Sequence, residues 1–149
     1  MPSPESSISN AQTGRIAEAA SPANPLDGLR ILIVEDNAYI AMALEEMLSE
    51  QGLVVEGVAA SLEKALRLTA STRFDLALLD VNVGDKKIDP VAEALTTLGT
   101  PFVFTTGYGR AGLPEAFLDH PIVEKPFYIE EILDTLRAVY ASAQDGGDR

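Results

Sequence analysis

Asp75-Leu76-Ala77-Leu78-Leu79-Asp80-Val81-Asn82 is the stretch whose reading decides the architecture. An unbroken apolar run bounded by aspartates is too short for a buried helix. It is the pattern of a strand covered on both faces, as in a parallel sheet. Asp80 then falls at the strand's carboxyl end.

Working outward, the same kind of run recurs. Arg30 to Val34 reads as a first strand, Leu53 to Val58 as a second, Pro101 to Thr105 as a fourth and Pro121 to Glu124 as a fifth. Helical periodicity fills the gaps. Asn37 caps a helix to about Gln51 with Ile40, Leu44, Met47 and Leu48 on one stripe and Gly52 as its stop. Ser61 caps a second, to about Ala70. Asp89-Pro90 reads as a cap followed by proline at the first helical position, opening a short helix that Gly99 ends. A last helix, about Tyr128 to Tyr140, turns Ile129, Ile132, Leu133, Leu136 and Val139 inward. Alternating strands and helices imply an α/β domain, a doubly wound five-stranded parallel sheet.

Residues 29–140 carry this pattern. Residues 1–28 hold Pro2, Pro4, Pro22 and Pro25 among small polar residues, too little apolar surface to offset ordering entropy, and read as a disordered N-terminal arm. Residues 141–149 read as a flexible C-terminal tail, and no output domain is expected beyond the last helix. The chain has no cysteine, which excludes thiolate chemistry and fits a reducing cytoplasm. It shows neither a secretory signal nor the ~20 apolar residues a membrane helix requires. A net charge of −12 sets the surface against phosphate backbones, so neither nucleic acid nor membrane is an expected partner.

Ligands of such sheets bind beyond the carboxyl ends of the strands. Glu35-Asp36 follows the first strand, Asp80 ends the third, Thr105-Thr106 ends the fourth and Lys125 follows the fifth. Carboxylates gathered there repel, each pair by on the order of 4 kcal/mol at ~4 Å and an effective dielectric of ~20. Lys125 offsets only part of that, and a hard divalent cation such as Mg²⁺ offsets the rest. A carboxylate beside a metal and a cation can attack phosphorus while its neighbours stabilise the equatorial oxygens. Singly, each residue has a plainer role as a turn, cap or solvated loop residue. Jointly, their order at the strand ends points to one site.

These residues resemble the receiver domains of two-component response regulators, with the flavodoxin-like, CheY-like fold, from about Leu29 to Tyr140. The motifs are Ile-Val-Glu-Asp-Asn (33–37), Leu-Leu-Asp-Val-Asn (78–82), the Thr106 region and Glu-Lys-Pro-Phe (124–127). The resemblance implies that Glu35, Asp36, the Asp80 side chain and the Asn82 backbone carbonyl hold Mg²⁺. It makes Asp80 the phosphoacceptor, Lys125 its partner and then the phosphoryl group's, and Thr106 a donor to a phosphoryl oxygen. It also implies a cis Lys125-Pro126 peptide. Such a domain is a signalling phosphoacceptor that catalyses only its own phosphorylation and dephosphorylation. Its donor is a sensor histidine kinase or a histidine phosphotransfer protein, and it is a monomer or weak homodimer.

Two departures stand out. Between Thr106 and Lys125 the chain is short for the family and contains Gly107, Gly109, Gly112, Pro114 and Pro121, so the fourth helix is expected to be shortened or irregular. Ile122 stands where many members carry a switching aromatic. Phe104-Thr-Thr-Gly-Tyr108 with Asp-Val-Asn-Val-Gly (80–84) is similar to the single-domain FAT GUY receivers, which implies phosphorelay partners and kinases of the HWE type. Tyr108 is expected either to shield the acyl phosphate or to serve as a surface tyrosine in partner docking. Rival readings are weaker. A phosphatase wants an acid where Asn82 stands, a flavin domain wants a hydroxyl-rich loop where Glu35-Asp36 stands, and a binding module has no use for an acceptor, acidic pair and lysine together.

Overall fold

Alternation of side chains along the strands sets the layering. In a computed structural model, which describes residues 25–147, β1 (Arg30–Val34) sends Ile31 and Ile33 to one face and Leu32 and Val34 to the other. α1 (Ala38–Glu50), β2 (Val54–Ala59), α2 (Leu62–Ser71) and β3 (Leu76–Asp80) follow. A short hairpin comes next, β4 (Asn82–Val83) and β5 (Lys86–Lys87), and then α3 (Asp89–Leu98) and β6 (Phe102–Thr106). Two 3₁₀ turns, Gly109–Gly112 and Glu115–Phe117, lead to β7 (Ile122–Glu124) and α4 (Ile129–Gly147).

The main sheet is parallel with order β2-β1-β3-β6-β7. One face packs Leu44, Leu48, Ile132 and Leu136 of α1 and α4 on Ile31, Ile33, Leu76 and Leu78. The other packs Ala65, Val91 and Leu95 of α2 and α3 on Leu32, Ala77, Leu79 and Phe104. Every residue of β3 and β6 is buried, as their continuous apolar runs require. The doubly wound, CheY-like architecture is borne out. So is the irregular fourth helix, because only the two 3₁₀ turns stand between β6 and β7. No helix among the described residues is long and apolar enough to cross a membrane.

Local signals held where chemistry is local. Asn37 Oδ1 accepts from the amides of Tyr39 and Ile40, and Ser61 Oγ from that of Lys64. Gly99 ends α3 in the left-handed conformation. Other expectations need correction. Asp89 is not the cap of α3: Ile88 holds that position without a side-chain bond, and Asp89 is already helical. The hairpin was not foreseen, although Gly84-Asp85 between Val83 and Lys86 is a two-residue turn signal.

The arm boundary at residue 28 falls inside ordered chain. Residues 25–28 form a turn, Leu26 is wholly buried with Ile31, Leu48 and Leu53, and the Gly28 amide donates to Gly52 O at 2.8 Å. Burial of one large side chain recruits the turn to the core. Residues 1–24 of the expected arm lie outside the described residues. At the other end α4 runs through Ala141 to Gly147, where a tail was expected, because Ala141, Ala143 and Gln144 are good helix formers. Residues 148–149 lie outside the described residues.

Candidate functional site

The carboxyl ends of β1, β3, β6 and β7 lie along one edge of the sheet, and the polar residues sit there. Glu35 and Asp36 leave β1, Asp80 closes β3, Thr106 closes β6 and Lys125 follows β7. One carboxylate oxygen from each of Glu35, Asp36 and Asp80 comes within 4.8 Å of the others. Lys125 Nζ stands 3.2 Å from Asp80 Oδ2 and 3.4 Å from Glu35 Oε1. The Lys125-Pro126 peptide is cis.

Burial makes this cluster costly. Glu35 is 2% exposed and Asp80 7%, while Asp36 is exposed. Burial pushes the Glu35 carboxyl up to about 7, and the charge of Asp80 adds to it. The Asn37 amide and Lys125 pull the other way without prevailing. Lys125 shows the mirror image: burial lowers it, but the charges of Asp80 and Glu35 win and leave its ammonium held above the usual lysine range. Glu35 Oε2 accepts from the Asn37 amide at 3.1 Å, whereas the buried Oε1 faces the Lys125 ammonium at 3.4 Å, too loosely placed for a well-formed hydrogen bond. A buried carboxylate oxygen among like charges, with one ammonium 3.4 Å away, keeps lone pairs that a metal ion can take. The all-oxygen donor set is one that Mg²⁺ accepts.

The remaining residues fall around this cup. The Asn82 amide donates to Asp80 Oδ1 at 3.2 Å and its side chain is exposed. Thr105 lies opposite Asp80 in the β3–β6 register. Thr106 is fully buried, its hydroxyl donating to Gly109 O at 3.2 Å and accepting from the Tyr108 amide at 3.0 Å. Tyr108 is 78% exposed. Ile122 packs against the core, and nearby an aromatic group forms without it. His120 stacks on Phe102 with centroids 4.2 Å apart, and Phe117 meets Phe104 edge-on at 5.7 Å. Sequence reading missed Gly84, whose amide donates to Asp36 Oδ2 at 2.9 Å. Its traces were the turn signal noted above and its place closing the Asp-Val-Asn-Val-Gly (80–84) motif, neither of which assigned it a role.

Residues 31–137 match the response regulator receiver domain family. The transcriptional regulatory protein PdtaR of Mycobacterium tuberculosis is 32% identical over 111 residues, 72% of this chain and 54% of its own length. The phyllosphere-induced regulator PhyR of Methylorubrum extorquens is 36% identical over 102 residues, 66% of this chain and 36% of its own. The chain thus spans about half or less of these curated relatives. Among solved structures, SdrG of Sphingomonas melonis is 38% identical with a TM-score of 0.68, covering 75% of this chain and 96% of that one. The receiver domain of Erythrobacter litoralis PhyR is 27% identical with a TM-score of 0.63, covering 76% and 90%. Sheet order, acidic cluster and the match across residues 31–137 agree, and the chain belongs to the response regulator receiver domains, phosphoacceptor signalling domains of two-component systems.

Proposed function

We propose that Asp80 accepts a phosphoryl group from the phosphohistidine of a sensor histidine kinase or a histidine phosphotransfer protein. The observation that carries this is the approach of three carboxylates to within 4.8 Å, with the Lys125 ammonium 3.2 Å from Asp80. Glu35, Asp36, Asp80 and the Asn82 backbone carbonyl would hold Mg²⁺, which when bound offsets their charge and that gathering on the transferring group.

The chain's own residues do the rest. A carboxylate oxygen of Asp80 forms the new O–P bond as the P–N bond to the donor imidazole breaks, and the leaving nitrogen keeps the electron pair. Lys125, already aimed at Asp80, shifts its pairing to a phosphoryl oxygen. Thr106 donates to another, and to do so gives up Gly109 O. The Tyr108 amide can stay on Thr106 Oγ1, so the start of the Gly107–His120 segment is drawn with it. That releases the 3₁₀ turn and biases the segment toward a second ordered state.

Intact-mass measurement with Mg²⁺ and a small acyl phosphate donor tests the assignment. The parent is expected to gain one phosphoryl group and Asp80→Asn none; equal labelling of both sinks it. The Phe104-Thr-Thr-Gly-Tyr108 and Asp-Val-Asn-Val-Gly (80–84) motifs support a single-domain receiver of the FAT GUY kind served by HWE-type kinases. Phosphotransfer from a panel of HWE and ordinary histidine kinases separates these donors. Tyr108→Ala is expected to shorten the phosphoryl lifetime, followed by loss of the added mass over time.

A further inference from the structure

The β4–β5 hairpin touches both acidic strands of the site through its backbone. Its register pairs Asn82 with Lys87 and Val83 with Lys86, leaving Gly84-Asp85 as a two-residue tip. Val83 is buried and roots the hairpin in the core, while the Lys86 ammonium pairs with the Glu63 carboxylate on α2. From this anchored position two amides point at the carboxylates: Asn82 N–H at Asp80 Oδ1, 3.2 Å, and Gly84 N–H at Asp36 Oδ2, 2.9 Å.

Asp36 needs such help more than its neighbours. Glu35 and Asp80 are walled in by the core, but Asp36 is exposed and no protein cation pairs with it among the described residues. Among the described residues the Gly84 amide is the donor that fixes its rotamer, and it engages a single oxygen, leaving the other for a ligand bond. Gly84 sits at φ +64°, a left-handed conformation; nothing lies within 4 Å of where a Cβ would stand, so backbone conformation alone restricts this position. Asparagine tolerates that region and a β-branched residue does not.

We infer that Gly84 is a positioning residue for the divalent cation: the hairpin presents its amide to Asp36 and fixes that carboxylate toward Glu35 and Asp80. This rests on the metal-assisted reading above. By reciprocity, the ion must steady the hairpin as much as the hairpin steadies the ion.

Calorimetric titration of Mg²⁺ into the full chain tests it with Gly84→Val and Gly84→Asn. Valine is expected to weaken Mg²⁺ about 10-fold, in the range for removing a partner of a metal ligand. Asparagine should stay within about twofold, because it accepts the left-handed turn. Parent-like binding by valine, or equal weakening by asparagine, overturns the inference. Within the parent protein, Mg²⁺ should slow hydrogen exchange at the Gly84 amide, a measurement that survives any folding defect of the variants. An unchanged exchange rate in Mg²⁺-saturated protein also overturns it. If Asp80→Asn binds Mg²⁺ as tightly as the parent, it is the site assignment itself that fails, and the positioning role falls with it.

Discussion

On the carboxyl of Glu35, burial and the charge of Asp80 act in the same direction, which makes it the residue on which pH enters. Its proton-binding midpoint rises from 4.5 to about 7 in the metal-free fold. Between those values the folded state holds a proton that the unfolded chain has lost. Metal-free stability is therefore greatest at the acidic end of this window and falls as pH rises toward about 7. Mg²⁺ needs the deprotonated carboxylate, so its affinity runs the opposite way and climbs across the same window. Urea denaturation and Mg²⁺ calorimetry across that range should give slopes of opposite sign. Replacing Lys125 with Met removes a cation that lies 3.4 Å from Glu35 and 3.2 Å from Asp80. The Glu35 midpoint should then move further up, read from its carboxyl carbon shift by NMR. The residue types at these positions were legible in the sequence. Their mutual perturbation was not, because it depends on depth and on angstrom-scale approach.

Among the elements, the segment between β6 and β7 carries the most consequence. Its glycines and prolines announced that no full helix forms, since each weakens a helix by its own backbone chemistry. What holds it instead is tertiary: the Phe102, Phe104, Phe117 and His120 rings, and Arg110, which donates to Leu118 O at 3.2 Å and His120 O at 2.7 Å. Phe117→Ala is expected to cost about 3 kcal/mol, near the low end for a phenylalanine because the side chain is only partly buried, measured by chemical denaturation. Burial lowers the His120 midpoint below 6.5, with the nearby Arg110 charge adding to it and the bond to Phe102 O opposing it. The neutral ring is the one the fold prefers. Its contribution is complete above 6.5 and is lost as pH falls through the depressed midpoint. Hydrogen exchange across residues 107–120 should accelerate on that side, and Thr106→Ala should accelerate it around Gly109 at any pH by deleting two hydrogen bonds.

At the scale of the whole molecule, the two cores meet different demands: one joins α2 and α3 to the sheet, the other α1, α4 and the incoming turn. Leu26 belongs to the second and is 0% exposed. Leu26→Ala should destabilise the domain by roughly 2–5 kcal/mol in urea, and a chain begun at Leu29 should be weaker than one begun at Pro25. An unchanged midpoint for both would put Leu26 outside the cooperative core. Apolar period, caps and the residues closing each strand were enough to give the sheet, its helices and the edge where the acids gather, because those rules act within a few neighbours along the chain. Strand order is cheap to infer from them, since βαβ connections leave few alternatives. The metal cup's dimensions, the Gly84 bond to Asp36 across 48 positions and the Lys125 bond to Asp80 across 45 belong to the folded chain alone. So does the recruitment of Leu26. Each joins groups with no local correlation in sequence, and only the packed sheet and its hairpin bring them within bonding range.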